Sequence, residues 1–248
     1  MLKQWLTKLK EGTEHLNYGR DIIVAMANDH IHNLSTEVKI LDIGFGTGID
    51  LINLKHNIIV NKQLQLYGID NVAAHIDLTA QGISACLCNI ETEQLPFEDN
   101  YFDIIIANQV IEHTKEIFWI FSEISRVLSE GGIVIVGVPN LASLHNRILL
   151  LLGEQPSSIE LLGPHVRGIT RNSFIRFITA DDYFEVIDVK GANFYPFQPS
   201  MATSLSKIFP NYSVSLFFLC RRTSKSGKFI DVLSTRFYET EYFKGTPI

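Results

Sequence analysis

Apolar residues along this chain recur with two periods, and the alternation between them sets the expected architecture. Over residues 2–34 the apolar positions fall at helical spacing, with Ile22, Ile23, Met26 and Ala27 on one recurring face, and Gly19 interrupts the pattern. Short apolar runs at 38–43, 64–69, 85–88, 102–107 and 133–138 read as buried strands. Helical patterns at 47–56, 72–81 and 116–128 lie between them, the last stopped by Gly131 and Gly132. Strand and helix in this rhythm predict βαβ units, a mostly parallel sheet and helices on both faces.

After Pro139 the rhythm changes. Residues 141–152 read as a helix, 153–168 as a loop-rich insertion with Pro156, Pro164, His165 and Arg167, 171–179 as a helix and 183–189 as a strand. The run 214–220 alternates too little to have a wet face, so it is expected to lie centrally in the sheet. Residues 195–207 lie between those two strands without an assigned element, and the polar tail from Thr223 is left unassigned as well. The expected organisation is a helical cap at 1–35, one α/β domain at 36–222 with an acceptor-side insertion at about 141–170, and a tail at 223–248.

Composition narrows the classes. A chain of 248 residues, 46% hydrophobic and 19% charged, suits one large α/β domain and shows no disordered bias. A formal charge of -6 argues against a dedicated nucleic-acid binder. Cys86 and Cys88 point to one face of a strand, no Cys/His pair with zinc spacing follows them, and no metal ligand set is expected. The longest apolar stretch, 148–152, is too short to enter a bilayer as a span, and the amino terminus lacks a secretory h-region, so a soluble, cytoplasmic protein is expected.

The strongest local signal is Asp42-Ile-Gly44-Phe45-Gly46-Thr-Gly48 at a strand-to-helix junction. Glycines there let the backbone turn tightly and approach a ligand, and the following helix presents unpaired N–H groups. The third glycine comes one residue too early for the dinucleotide fingerprint. An aspartate two residues before the first glycine repels pyrophosphate and suits a cation. Asp70 ends the next strand, where it can accept both ribose hydroxyls or cap the turn beginning at Asn71.

Five segments in order resemble the class I, seven-β-strand S-adenosylmethionine-dependent methyltransferases, in the branch related to ubiquinone and menaquinone biosynthesis. They are 38–48, 66–70, the Leu95-Pro96-Phe97 to Phe102-Asp103 segment, 104–113 ending in Glu112-His113, and 126–135. The resemblance implies a Rossmann-like, mostly parallel seven-stranded sheet with helices on both faces and an antiparallel last strand. It also implies S-adenosylmethionine as cofactor and S-adenosylhomocysteine as product. Asp42, Gly44, Phe45, Gly46, Gly48, Asp70, Asn71 and Asn108 are the implied contacts. Where the family places an aspartate against the adenine, this chain has Asn89, followed by Ile90, or Glu91 if the register shifts.

Transfer of a methyl group needs alignment, and a protonated nucleophile also needs a base. His113, at the end of the fourth strand, is one candidate base, and His165 in the insertion is the other; either can instead be a cap or a loop residue. Arg167 is a candidate clamp for an acceptor carboxylate or phosphate, and His145, Arg147 and Tyr195 are further candidates on the acceptor side. At the front, Tyr18 or Arg20 is expected to reach the methionine carboxylate. A small-molecule O- or N-acceptor, such as a glycan or specialised metabolite, leads. A peptide or protein terminus and a non-catalytic cofactor-binding regulator are the alternatives, and an NAD-dependent oxidoreductase is disfavoured by the glycine spacing.

Overall fold

A computed structural model describes residues 19–32, 34–58, 62–72, 78–236, 238–239 and 241–245. The strands are β1 (Glu37–Ile43), β2 (Gln63–Asp70), β3 (Ile83–Leu87), β4 (Phe102–Asn108), β5 (Leu128–Pro139), β6 (Phe184–Ala192) and β7 (Ser215–Arg222). They form one seven-stranded sheet in the order β3-β2-β1-β4-β5-β7-β6. The first five pair in parallel, and β7 runs antiparallel to both β5 and β6. The expected class I architecture holds, including the central place of 214–220.

Six described helices cover the sheet: α1 (Arg20–Ile31), α2 (Ile49–Asn57), α3 (Ile117–Val127), α4 (Leu144–Leu151), α5 (Arg171–Ile178) and α6 (Pro199–Ile208). Strand periodicity decides which face each residue serves. Ile105, Ala107, Val134 and Val136 enter one core with Phe118, Phe121 and Ile124 of α3 and Phe174 and Ile178 of α5. Ile104, Ile106, Ile133 and Ile135 enter the other with Ile23, Met26 and Ile31 of α1 and Leu51 and Leu54 of α2. Both faces are dry, which is why these strands read as unbroken apolar runs. Phe121 is fully buried, and its truncation to alanine would cost about 3–5 kcal/mol.

Arg126 on α3 gives the Leu95–Phe97 segment its shape. Its guanidinium donates to Leu95 O (2.9 Å) and Phe97 O (2.8 Å) and pairs with Glu123 and Asp99. The described part of the expected cap, α1, is a sheet-covering helix integral to the second core. Two elements escaped the sequence reading. Helix α6 starts with Pro199, whose fixed φ suits a first helical turn. Within the tail, a 3-10 segment at Phe229–Thr235 buries Phe229 and Val232 in the first core. Of the helix expected at 72–81, residues 73–77 lie outside the described ones, and a short 3-10 turn occupies Thr79–Gln81. No described helix is long and apolar enough to cross a membrane.

Candidate functional site

Between β1 and α2 the chain turns through Gly44, Gly46 and Gly48 at φ of 70°, 52° and 73°. The N–H groups of Gly44 and Phe45 donate to Ile69 O at 2.7 and 3.3 Å, which ties the loop to the end of β2. Asp70 completes the join. Its Oδ2 accepts from Gly46 N–H (2.9 Å) and its Oδ1 from Val72 N–H (3.1 Å). One carboxylate thus shapes the loop and caps its own turn. Phe45 departs from the expected cofactor contact: its side chain is buried in the second core, against Gly68. Only its backbone belongs to the loop.

Three carboxylates gather under the loop. Asp42 is 2% exposed, and burial, then the charges of Asp50 and Asp70, push its carboxyl well above the ordinary range, with Arg20 opposing. Arg20 and Asn108, both expected at the methionine moiety, are brought together by a residue the sequence reading missed. Asp50 accepts from Arg20 Nε at 2.7 Å and from Asn108 Nδ2 at 2.8 Å. The acid in the first turn of α2, favoured by the helix dipole, was the available signal. Tyr18 lies outside the described residues.

A cleft of about 250 Å³ opens at the carboxyl ends of β1, β2 and β4, where open α/β sheets bind ligands. Gly44, Asp70, Asn71, Asn89, Ile90 and His113, all singled out from sequence, line it together. The two adenine-register candidates have different jobs. Glu91 Oε1 accepts from the backbone N–H of Lys115 and of Glu116 and so holds the start of α3, while Asn89 Oδ1 accepts from Glu91 N–H at 3.1 Å. Gln109, which no motif flagged, also lines the cleft at a φ of 57°, and its buried Nε2 has no hydrogen-bond partner. A non-glycine residue in that region stores strain, a feature that collects at functional sites.

His113 follows on a 3-10 turn (Ile111–His113), and the insertion folds down on it. Val166 and Arg167 donate their backbone N–H groups to Glu112 O at 2.9 and 3.1 Å. Arg167 Nε donates to Thr114 O at 2.9 Å, and its Nη2 donates to Lys115 O. The expected carboxylate clamp is therefore a staple, because those carbonyls at the helix approach have no intrahelical donors. The staple brings the His165 ring edge-on to His113, centroids 4.7 Å apart. His145 and Tyr195 also meet, with ring centroids 5.4 Å apart, but neither lines the cleft with His113. The His145 nitrogens face Ser143 Oγ and Ser157 Oγ, which ties α4 to the insertion. Arg147 donates to Ala142 O at 2.7 Å and lies over Tyr212, away from the cleft.

Residues 41–136 match the family described as "Methyltransferase domain". The chain is 27% identical over 126 residues, 47% of its length, to sterol 24-C-methyltransferase ERG6B of Gibberella zeae, covering 33% of that protein. It is 38% identical over 73 residues, 27% of its length, to the uncharacterized protein YafE of Escherichia coli, covering 35% of it. The chain thus spans about a third of the length of these curated relatives. Among solved structures, it is similar to a chain of the complex between the Haloferax volcanii Trm112 methyltransferase activator and a methyltransferase, with a TM-score of 0.58 and 14% identity over 91% of this chain and 97% of that one. It is also similar to Burkholderia thailandensis 1,6-didemethyltoxoflavin-N1-methyltransferase, solved with its substrate and S-adenosylhomocysteine (TM-score 0.56, 12% identity, 90% and 87% covered). Geranyl diphosphate C-methyltransferase of Streptomyces coelicolor gives 0.52 at 14% identity over 82% and 80% of the two chains. At these identities the likeness to the solved structures is one of fold.

Proposed function

We propose that this chain, which carries a methyltransferase domain at residues 41–136 on a class I sheet, binds S-adenosylmethionine and moves its methyl group to an oxygen or nitrogen of a small-molecule acceptor. The observation that carries the reading is the convergence of Gly44, Asp70, Asn71, Asn89, Ile90 and His113 on one cleft. Among the described residues, the carboxylates of Asp50 and Asp70 outnumber Arg20 beneath the loop. That balance repels a pyrophosphate and favours a ligand with an ammonium and a sulfonium.

When bound, S-adenosylmethionine supplies an electrophilic methyl carbon whose bond to sulfur breaks as the bond to the acceptor forms, the electron pair leaving with sulfur. The chain's own part is alignment and proton handling. Asp70 meets the ribose, while Asn89 and Ile90 flank the adenine. Arg20, Asp50 and Asn108 fix the methionine end as one network. The proton of a hydroxyl or ammonium acceptor leaves toward the His113–His165 pair. The acceptor is a glycan or specialised-metabolite intermediate. The engagement of Arg167 by Thr114 and Lys115 supports a small-molecule acceptor over a peptide terminus, whose carboxylate Arg167 would have gripped. Free thiols at Cys86, Cys88 and Cys220 suit a reducing, cytoplasmic setting. The affinity to the ubiquinone and menaquinone branch rests on motif resemblance.

The test is calorimetric titration with S-adenosylhomocysteine, with NAD as a parallel control. Micromolar binding of the first alone is expected. Binding of NAD, or of neither, would end the methyl-transfer reading.

A further inference from the structure

The pair of histidines at the mouth of the cleft has a third member. Glu112 is 1% exposed, and neither of its carboxylate oxygens has a hydrogen-bond partner. Burial raises its carboxyl to about 7, so either a proton or a cation can offset the cost of a buried carboxylate without a donor. His113 Nε2 lies 4.0 Å from Glu112 Oε1, beyond hydrogen-bonding reach. One ligand atom each from Glu112, His113 and His165 all fall within 4.8 Å of one another.

The hydrogen bonds of the two rings determine which nitrogens are available. His113 Nδ1 faces Pro164 O at 3.3 Å and His165 Nδ1 faces Ser158 O at 2.9 Å. A carbonyl oxygen only accepts, so Nδ1 is the donor in both rings, which leaves Nε2 as the nitrogen available to a ligand. A backbone carbonyl on the far nitrogen is the arrangement that orients metal-binding histidines. Two imidazolium rings at this separation would repel each other, so a doubly protonated pair answering Glu112 is disfavoured.

We propose that Glu112, His113 and His165 form a site for one divalent transition-metal ion, of the zinc or ferrous class, at the acceptor end of the cleft. Two imidazoles and one carboxylate suit such ions, with bonds of roughly 2.0–2.2 Å, and leave at least one coordination position open. The site is built from two distant segments, and the four donations from Val166 and Arg167 onto Glu112, Thr114 and Lys115 hold them in place. Of the three, His113 lines the cleft, which gives an acceptor oxygen a route to the ion. With an ion bound, the acceptor hydroxyl would lose its proton to bulk water, because the lone pairs of His113 and His165 would be held by the metal, and the metal would take the place of the histidines as the activating group. That role rests on the methyl-transfer reading, whereas the metal site does not.

The experiment uses the full chain, stripped with a chelator, and titrates Zn(II) against a chromophoric chelator and Co(II) by its visible absorption. One equivalent is expected, with Co(II) bands of the intensity that four- or five-coordinate sites show. His165→Ala and Glu112→Gln should each weaken binding at least about 10-fold. His165 sits on a half-exposed loop, so that variant keeps the fold if Glu112→Gln does not. No stoichiometric binding, or one equivalent bound equally well by His165→Ala, overturns the proposal. Titration with S-adenosylhomocysteine on the same samples separates the two readings. Metal without that ligand would leave the site standing and sink methyl transfer, and the ligand without metal would do the reverse.

Discussion

Gly44 and Gly46 occupy the same loop and both have a positive φ, yet their replacement by alanine should cost different amounts. A Cβ on Gly44 would stand 2.4 Å from Val110 Cγ2 and 3.3 Å from its Cγ1. A Cβ on Gly46 would meet no atom within 4 Å. The left-handed conformation alone costs a residue with a Cβ roughly 1–2 kcal/mol, and this applies to both positions. Forcing a methyl into the packed contact with Val110 adds roughly 1–3 kcal/mol. Gly46→Ala should thus lose about 1–2 kcal/mol and Gly44→Ala about 2–5 kcal/mol. The assay is urea unfolding of both variants, with equal m-values as the condition for comparison. Val110→Ala in the Gly44→Ala background should recover much of the difference, because the two positions are coupled. Equal losses at the two glycines, or no recovery with Val110→Ala, would refute the account of why the loop begins with glycine.

Asp42 gives a pH-dependent prediction. Burial, Asp50 and Asp70 raise its carboxyl above the ordinary 3.8, so the folded chain keeps a proton that the unfolded chain releases. That stabilisation is complete below the unfolded value and is lost as pH rises through the folded one. Asp42→Asn should raise the thermal midpoint near neutrality and leave it nearly unchanged at about pH 4 and below; a variant destabilised at neutral pH would contradict it. Binding of a cationic ligand beside Asp42 should release protons, seen as a buffer-dependent binding enthalpy near neutral pH, and buffer-independent enthalpies would count against the contact. Asp70→Ala should weaken binding of S-adenosylhomocysteine by about 1–3 kcal/mol through lost charge-assisted bonds, measured by calorimetry, and unchanged affinity would remove Asp70 from the site. Arg167→Lys breaks the paired donation to Thr114 and Lys115, so turnover should fall while affinity for S-adenosylhomocysteine holds; a raised acceptor KM with kcat intact would restore Arg167 as a substrate clamp.

The parts of this fold that the sequence made legible are those whose partners lie close in the chain or whose environment is uniform. Strands β1, β4 and β5 are buried on both faces, so their apolar runs need no context to interpret. The glycine loop and Asp70 were readable because a strand end, a turn and an acid at fixed spacing leave few alternatives. Helix α6 was not, since its apolar positions are few and interrupted by serines, and Pro199 reads equally as a loop. The burial of the Phe45 side chain was not legible, because a motif gives position along the chain and not the direction of a side chain. Nor was the engagement of Arg167, since the carbonyls it meets lie in another segment and no pattern announces them. Glu112 was visible beside His113, but its lack of a partner is a property of the packed interior.

The position of β7 has a consequence for how the molecule comes into being. It is the last of the described strands yet lies between β5 and β6, with Phe217 in one core and Phe218 in the other. During synthesis β1 to β5 can assemble in order, but β5 must wait with an open apolar edge, and β6 has no neighbour to pair with at all. Unpaired apolar edges are templates for wrong partners. A nascent or truncated chain ending before Ser215 would therefore be sticky while most of its sheet was already built. Strand β7 acts as a keystone: its arrival closes the edges of β5 and β6 together.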